Sequence, residues 1–207
     1  MGNYCAGLWT DFPEGLAWYC SKGSVARRGR GGYPYQAPTW SWASIRGAVS
    51  HYNMVEAYQP QAKILDVTCT KRQDAEIDEA QSYRLRVSGP SISAVLSQPD
   101  PETVDIKLAG IRWLRTPGHA PAEGASPWTG FYPDDIASAT PPDGVNTPVW
   151  CLLIGIWMSA VKPECSINYV LVLKESEHVP HTYERIGLTN GWVHWSQRSQ
   201  EMVFDIV

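Results

Sequence analysis

Several short segments of the chain alternate apolar and polar residues, which is the pattern of a β-strand buried on one face. In residues 63–70, Leu65, Val67 and Cys69 fall on one face, and polar residues fall on the other. Residues 83–89 alternate again, with two arginines on the polar face. Further strands are predicted at residues 104–108, 111–113, 149–158, 167–173, 182–189, 192–195 and 202–207.

Residues 35–44 read Tyr-Gln-Ala-Pro-Thr-Trp-Ser-Trp-Ala-Ser, and this order also predicts a strand. Pro38 fixes its own backbone and disfavours helical geometry in the residue before it. Trp40 and Trp42 lie two positions apart, so on a strand they would point to the same face. The two indoles would then form either part of the core or the wall of a pocket.

Few helices are expected. Asp11, Pro13 and Glu14 stand in the order of a capped helix start. They predict a helix of two to three turns that ends near Cys20.

Turn residues separate the predicted strands. Gly89-Pro90 is expected to end one strand, and Asn190-Gly191 between two apolar runs predicts a hairpin with a type I′ turn. Residues 116–148 are dense in Pro, Gly, Ala, Ser and Thr, with three aromatic residues among them. A connection of this length is expected to be a lid.

These elements predict a mainly β protein with about nine to eleven strands and one or two short helices. The architecture is either an antiparallel β-barrel or a two-sheet sandwich, formed by a single domain that covers residues 1–207. The barrel is favoured. A barrel of this size is wide enough to hold a small ligand.

Composition and charge limit the kinds of partner and the cellular location that the sequence predicts. The net charge is −4 and only 18% of residues are charged, which argues against nucleic acid as a partner. The basic loop 26–32 is interpreted as a solvated loop rather than as an RNA contact. Five cysteines without a Cys-x-x-Cys pair predict reduced thiols in a cytoplasmic protein. The apolar run 149–158 is too short to cross a membrane.

Catalytic and metal motifs are absent from the sequence. There is no Gly-x-Ser-x-Gly, and Pro180 separates His178 from His181, so a metal site on a helix is disfavoured. Asp134 and Asp135 could act as an acid and base pair, yet a turn or a helix cap is the favoured interpretation. No cofactor is expected.

Six segments of the chain resemble the region downstream of the HET (heterokaryon incompatibility) domain in filamentous-fungal proteins. The HET domain itself would lie upstream, so the chain is expected to be a C-terminal piece or a stand-alone protein. The resemblance is specific in the Trp-Ser-Trp block and loose elsewhere. The segments are Ala6-Gly-Leu-Trp9, Trp18, the block 35–44, Phe131-Tyr-Pro-Asp-Asp135, Leu171-Val-Leu173 and Tyr183-Glu-Arg-Ile-Gly187.

The resemblance implies an activity. Small stand-alone proteins similar to this chain belong to fungal secondary-metabolite pathways, and some act as cofactor-free hetero-Diels–Alderases. They join a tropolone quinone methide to a macrocyclic sesquiterpene. Such an enzyme needs a dry aromatic cavity and a hydrogen-bond donor rather than a nucleophile or a metal. The expected partners are therefore apolar or aromatic small molecules.

In this scheme aromatic side chains bind the substrates, and polar ones assist the chemistry. Tyr169 or Arg112 would donate a hydrogen bond to the ring oxygen, and His51 or His194 would assist loss of water. A structural role is the alternative for each. The candidate aromatic wall consists of Trp9, Trp40, Trp42, Trp113 and Trp157.

Two other functions fit the same sequence. One is a non-enzymatic recognition or regulatory module derived from a HET protein, in which the tryptophans are core and the loops contact another protein. The other is a carrier of apolar small molecules. A filled barrel centre would favour the recognition module, and an open centre would favour the enzyme or the carrier.

Overall fold

The computed structural model describes residues 4–20, 27–28, 37–51, 58–70, 82–97, 112–115, 128–134, 147–158, 166–191 and 199–207. These residues form fifteen strands and two 3₁₀-helices. The strands are β1 (Tyr4–Cys5), β2 (Leu8–Trp9), β3 (Trp18–Cys20), β4 (Arg27–Arg28), β5 (Ile45–Arg46), β6 (Val49–His51), β7 (Tyr58–Pro60), β8 (Lys63–Thr70), β9 (Ser82–Ser97), β10 (Arg112–Arg115), β11 (Trp128–Pro133), β12 (Thr147–Trp157), β13 (Ile167–Glu175), β14 (Tyr183–Gly191) and β15 (Gln200–Ile206). The helices are η1 (Pro13–Leu16) and η2 (Trp42–Ser44).

The expected mainly β fold is confirmed. Nine strands form one sheet, and the remaining six pair as β1–β2, β3–β6 and β4–β5. Within the large sheet, antiparallel pairs connect β9, β12, β13, β14, β11 and β10 and return to β9. This closed circuit is a six-stranded antiparallel barrel. Strands β7, β8 and β15 are added to it, and β14–β15 is the one parallel pair among the described strands.

The barrel interior is filled in the part of the chain that the structure describes. Ten buried apolar side chains from five of its strands form one cluster. No strand outside the circuit contributes to that cluster, so the barrel itself encloses these side chains. They are Ile92, Ala94, Leu96, Phe131, Val149, Cys151, Leu153, Val170, Val172 and Ile186.

A second core lies on the opposite face of the shared strands. Leu152 and Leu171 alternate with members of the barrel cluster and pack outward, beneath β8, β15 and the N-terminal segment. Strands β12 and β13 are therefore buried on both faces. This explains why their sequences are apolar runs without alternation.

Strand β9 is longer than the predicted 83–89 strand. Its alternation is as expected, with Leu85 and Val87 buried and both arginines exposed. Gly89-Pro90 does not end it. One edge of β9 pairs with β8 up to Ser88 and with β12 from Ser91 onward, so Pro90 falls at the junction between two partners. A residue without an N–H is tolerated there.

Strand β8 has its predicted bounds, but Leu65 is not on its inner face. The pairing with β9 shifts register between Ile64 and Asp66, which makes Leu65 the extra residue of a bulge. Leu65 is therefore exposed, and Ile64 packs on the core together with Val67.

The Trp-Ser-Trp block is not a strand, which corrects the sequence prediction. Residues 38–41 form a turn in which the N–H of Ser41 donates to Pro38 O at 2.9 Å. Ser41 Oγ then accepts the N–H of Ala43 at 3.1 Å and caps η2. Because the backbone turns between the two indoles, Trp40 is 1% exposed and Trp42 is 43% exposed.

The predicted helix to Cys20 is also wrong beyond its first turn. Pro13 does occupy the first turn of η1, but Asp11 is not the cap and Phe12 at the N-cap makes no side-chain hydrogen bond. The chain then becomes extended as β3, which pairs with β6. Tertiary pairing thus overrides the local helix signal.

Asn190 and Gly191 do not form the predicted type I′ turn. They continue β14 and pair with β13, and the predicted partner strand 192–195 lies outside the described residues. A two-residue hairpin turn instead joins β1 to β2, where Ala6 has φ 45° and Gly7 has φ 90°. Both central residues have positive φ, as a type I′ turn requires.

Part of the candidate lid belongs to the barrel. Strand β11 lies within residues 116–148, and Phe131 is fully buried in the barrel cluster. Of the other predicted strands, 104–108 and 192–195 lie outside the described residues, as does the rest of the lid apart from Asp134 and the start of β12. No helix in the described ranges is long and apolar enough to cross a membrane.

The fold makes a prediction at Gly187, where β14 passes β11. A Cβ there would lie 2.3 Å from the Phe131 ring and 2.4 Å from Tyr132 O. We expect Gly187→Ala to lower the free energy of unfolding by about 3 kcal/mol, because the obstacle includes rigid backbone. Urea denaturation measures the change.

Gly15→Ala is the matched control. The nearest atom to its Cβ is the flexible Leu8 Cδ1 at 3.0 Å, so a loss below about 1 kcal/mol is expected. Equal losses in both variants would contradict the tight approach of β14 to β11.

Candidate functional site

A buried ion pair joins β14 to the end of β11. Arg185 and Asp134 are both fully buried. Arg185 Nε donates to Asp134 Oδ2 at 2.9 Å, and Nη2 donates to Oδ1 at 3.2 Å. This two-pronged contact matches the planar guanidinium to the carboxylate. The pair balances two charges that would each be costly to bury alone.

The same guanidinium binds the N-terminal segment. Nη1 donates to Leu16 O at 2.7 Å and Nη2 donates to Trp18 O at 2.5 Å. Its central carbon lies 3.4 Å from the centroid of the Trp18 ring, in a cation–π contact. We call Arg185, Asp134, Leu16 and Trp18 the arginine cluster. It connects η1, β3, β11 and β14.

The Trp-Ser-Trp block attaches to this cluster through Trp40 and Thr39. Trp18 Nε1 donates to Trp40 O at 3.1 Å. The main-chain N–H of Arg185 donates to Thr39 Oγ1 at 3.0 Å, and that hydroxyl donates to Val207 O. The block is therefore held between β14 and the end of β15.

The arginine cluster contains residues from three of the six segments quoted in the sequence analysis, namely Trp18, the Asp134 segment and the Arg185 segment, and the 35–44 block is bonded to it. Their side chains hold the fold together instead of lining a cavity. The sequence favoured a turn or helix-cap role for Asp134, with an acid role as the alternative. Its carboxylate is instead one half of the buried ion pair. Arg185 was not among the candidates, although an arginine directly before Ile186 in a predicted strand was a usable signal.

The predicted aromatic wall is not assembled at one place. Trp40 is in the core, whereas Trp9 and Trp42 are exposed. Trp157 lies in β12, where it pairs with Tyr58 of β7. For Trp113 the structure gives the backbone position in β10 but no side-chain description.

The predicted polar residues are also dispersed. Tyr169 is buried in the second core. His51 is exposed at the end of β6, where partial burial and the Arg185 charge lower its pKa. The neutral imidazole is thereby favoured, which is the opposite of what a proton donor requires. Arg112 lies in β10 without a described side chain, and His194 lies outside the described residues.

Four tyrosines from four elements form two ring pairs, and we call them the tyrosine row. Tyr132 and Tyr19 have ring centroids 5.9 Å apart, and Tyr169 and Tyr58 have centroids 6.4 Å apart. Tyr19 also contributes electrostatically to the pKa of Tyr169. Tyr58 Oη donates to Ile154 O at 2.8 Å.

The phenols of Tyr58 and Tyr169 stay protonated. Burial raises the pKa of Tyr58, and the charges of Glu14 and Tyr169 raise it further. Burial and Tyr19 raise the pKa of Tyr169. Both hydroxyls are therefore hydrogen-bond donors at neutral pH rather than bases. This is the chemistry that the sequence scheme assigned to Tyr169.

A second site is the exposed aromatic surface formed by Tyr4, Trp9, Phe12 and Trp42. Each of these side chains is 43% to 58% exposed. Tyr4 and Trp9 pair across the β1–β2 hairpin, with ring centroids 5.1 Å apart. Trp42 lies on the hairpin turn, because a Cβ at Gly7 would be 2.5 Å from its Nε1.

The aromatic surface is the largest concentration of exposed apolar side chains that the described part of the chain offers. The other large exposed hydrophobic residues there are the scattered Leu65, Val179 and Val203. Concentrated exposed aromatic residues are typical of a binding site rather than of a random surface.

Metal ligands do not gather in the described ranges, where no three His, Cys, Asp or Glu side chains are placed to hold an ion. No protein-family description, curated protein or solved structure matches the chain. The two sites therefore have to be interpreted from their own chemistry.

The arginine cluster predicts a strong coupling between two charges. Arg185→Met or Asp134→Asn should each lower the free energy of unfolding by about 3–5 kcal/mol, because each leaves one buried charge unpaired. The double variant Arg185→Met/Asp134→Asn should lose less than the sum of its single changes. Urea denaturation of the four proteins gives the coupling.

The surface pair of Lys174 and Glu177, 2.5 Å apart, is the control. Lys174→Met should change stability by no more than about 1 kcal/mol, since the pair is solvent-exposed. Additive losses for Arg185 and Asp134 would show that the two charges do not depend on each other.

Proposed function

We propose that this protein is a recognition module of the HET-associated kind, which binds a partner protein through its aromatic surface. The observation that carries the proposal is the contrast between a filled barrel and an exposed aromatic hairpin. The described barrel interior has its space taken by aliphatic side chains and Phe131. The indoles of Trp9 and Trp42 are instead presented to solvent.

The charges and aromatic rings of the surface indicate which kind of partner segment would bind there. Residues 4–20 include Asp11 and Glu14 but no lysine or arginine, and residues 37–45 carry no charged side chain. Exposed indoles attract cations over their faces, and the carboxylates add a second attraction. A partner segment that bears arginine or lysine fits both features.

The hairpin suits this role because side-chain packing on the second core holds it in place. Cys5 and Leu8 face the second core, which leaves Tyr4 and Trp9 on the outer side. The aromatic surface is therefore ordered before a partner arrives, so little conformational entropy is lost on binding.

Binding of a basic peptide tests the proposal. The probe is acetyl-(Arg-Gly)₄-amide, titrated against intrinsic tryptophan fluorescence, with acetyl-(Glu-Gly)₄-amide as the charge-reversed peptide. We expect the arginine peptide to bind at least tenfold more tightly than the glutamate peptide. Trp9→Ala and Trp42→Ala should each weaken it by about tenfold, which corresponds to about 1.4 kcal/mol.

Val203→Ala and Leu65→Ala are matched controls, because they remove exposed apolar side chains from β15 and β8. Neither should change the affinity. Equal binding of both peptides, or equal losses in the control variants, would exclude the aromatic surface as the recognition site.

The tyrosine row favours a second candidate, the cofactor-free cyclase. In this proposal the row binds a tropolone quinone methide, and the protonated phenol of Tyr169 donates to its oxygen. The hydrogen bond draws electron density from the ring system toward that oxygen. The ring system thereby becomes more reactive toward the alkene of a macrocyclic sesquiterpene. Trp157, beside Tyr58 in the β12–β7 pair, is available to the flat ring.

Product formation from a hydroxymethyl tropolone precursor and the sesquiterpene tests this candidate. Tyr169→Phe should lower the rate at least tenfold while the protein stays folded. Tyr183→Phe is the control, because Tyr183 packs edge-on against Phe204 outside the row. A rate equal to that without protein would remove the cyclase and leave the recognition module.

A further inference from the structure

The main-chain acceptors of the aromatic surface are already engaged. Trp9 O accepts the N–H of Phe12 at 3.0 Å, and Phe12 O accepts the N–H of Gly15 at 3.0 Å. Trp42 O accepts the N–H of Ile45, which ends η2. For three of the four aromatic residues, the ring is therefore the group left to meet an incoming side chain.

The rings of Tyr4 and Trp9 are placed to accept a cation. They are tilted by 56°, with centroids 5.1 Å apart, so they do not cover each other face to face. Tyr4 is 58% exposed and Trp9 is 50% exposed. A positive charge within about 6 Å of such a ring is attracted by its negative face. Each ring keeps surface in solvent on which a cation can rest.

A carboxylate lies in the same segment. The hydrogen bond from Phe12 to Trp9 closes a turn over residues 9–12, and Asp11 is exposed within this turn. Residues 4–20 hold no lysine or arginine that would neutralise it. Its charge attracts a cation over a longer range than the rings do. A cation at this surface therefore meets ring faces and a nearby negative charge rather than a set of hydrogen-bond acceptors.

We propose that the partner segment presents a trimethylated lysine, whose quaternary ammonium group rests on the rings of Tyr4 and Trp9. The inference rests on the proposed function, because it names the cation that the same surface binds. Lysine and arginine carry N–H donors, which lose hydrogen bonds to water unless acceptors replace them. A quaternary ammonium group has no N–H, and its methyl groups contact a ring face while the charge is kept. Methylation thus lowers the cost of leaving water at a surface made of rings.

Two peptides of equal charge test this inference. They are acetyl-(Lys-Gly)₄-amide and the same peptide with every lysine trimethylated, each titrated against the intrinsic tryptophan fluorescence of the full chain. We expect the trimethylated peptide to bind at least fivefold more tightly. A third peptide, in which a neutral tert-butyl group replaces each trimethylammonium group, has the same shape without the charge. It should bind at least tenfold more weakly than the trimethylated peptide.

Three variants separate the rings from the charge. Trp9→Leu keeps an apolar side chain but removes the aromatic face, so it should remove the preference for the trimethylated peptide. Asp11→Asn should weaken both charged peptides by a similar factor and leave their ratio unchanged. Asp66→Asn removes an exposed carboxylate from β8 and is the matched control, which should change neither affinity.

The outcomes distinguish this inference from the proposed function. Equal affinity for the lysine and trimethyllysine peptides would overturn the inference and leave the recognition module in place. Equal affinity for the trimethylated and neutral peptides would also overturn it, because the methyl groups alone would then account for binding. Phosphatidylcholine vesicles that bind as tightly as the trimethylated peptide would assign the surface to a lipid headgroup instead. Failure of every cationic peptide to bind would reject the proposed function itself.

Discussion

The structure depends on how one buried, permanent positive charge is compensated. An arginine side chain cannot lose its proton inside a protein, so the fully buried Arg185 must find its compensation in its neighbours. The carboxylate of Asp134 supplies the opposite charge, and carbonyl oxygens of Leu16 and Trp18 accept further hydrogen bonds. These partners come from two distant places in the sequence. The N-terminal segment and the end of β11 are thereby required to meet at β14, and the position of Trp18 follows from this requirement.

The sequence predicts the strands well where burial is a local property. Residues 83–89 alternate because one side of β9 faces solvent, and the run 149–158 lacks alternation because both sides of β12 are buried. The Trp-Ser-Trp block could not be assigned this way. Its turn depends on the Ser41 hydroxyl, and its position depends on Trp18 and Arg185, which are distant in sequence.

The candidate site was predictable only in part, for a related physical reason. Tyr169 was identified as a hydrogen-bond donor, but its neighbours Tyr19, Tyr58 and Tyr132 come from three other elements and share no spacing. Sequence spacing reports which residues share a face of one element. It does not show which faces of separate elements come together in the fold. The tyrosine row forms only through such contacts between elements.

The remaining aromatic residues show what the fold does not need for its own stability. Trp18 and Trp40 are buried in the core, but Trp9 and Trp42 stay exposed around a hairpin whose Ala6 has a φ of 45°. A left-handed conformation in a residue other than glycine costs about 1 kcal/mol or more. The hairpin accepts this cost because the turn sets Cys5 and Leu8 toward the core and leaves Trp42 flat against Gly7. A strained turn that holds large apolar rings in water gives the folded chain little by itself, and this is the physical basis on which we propose that the aromatic surface binds a partner.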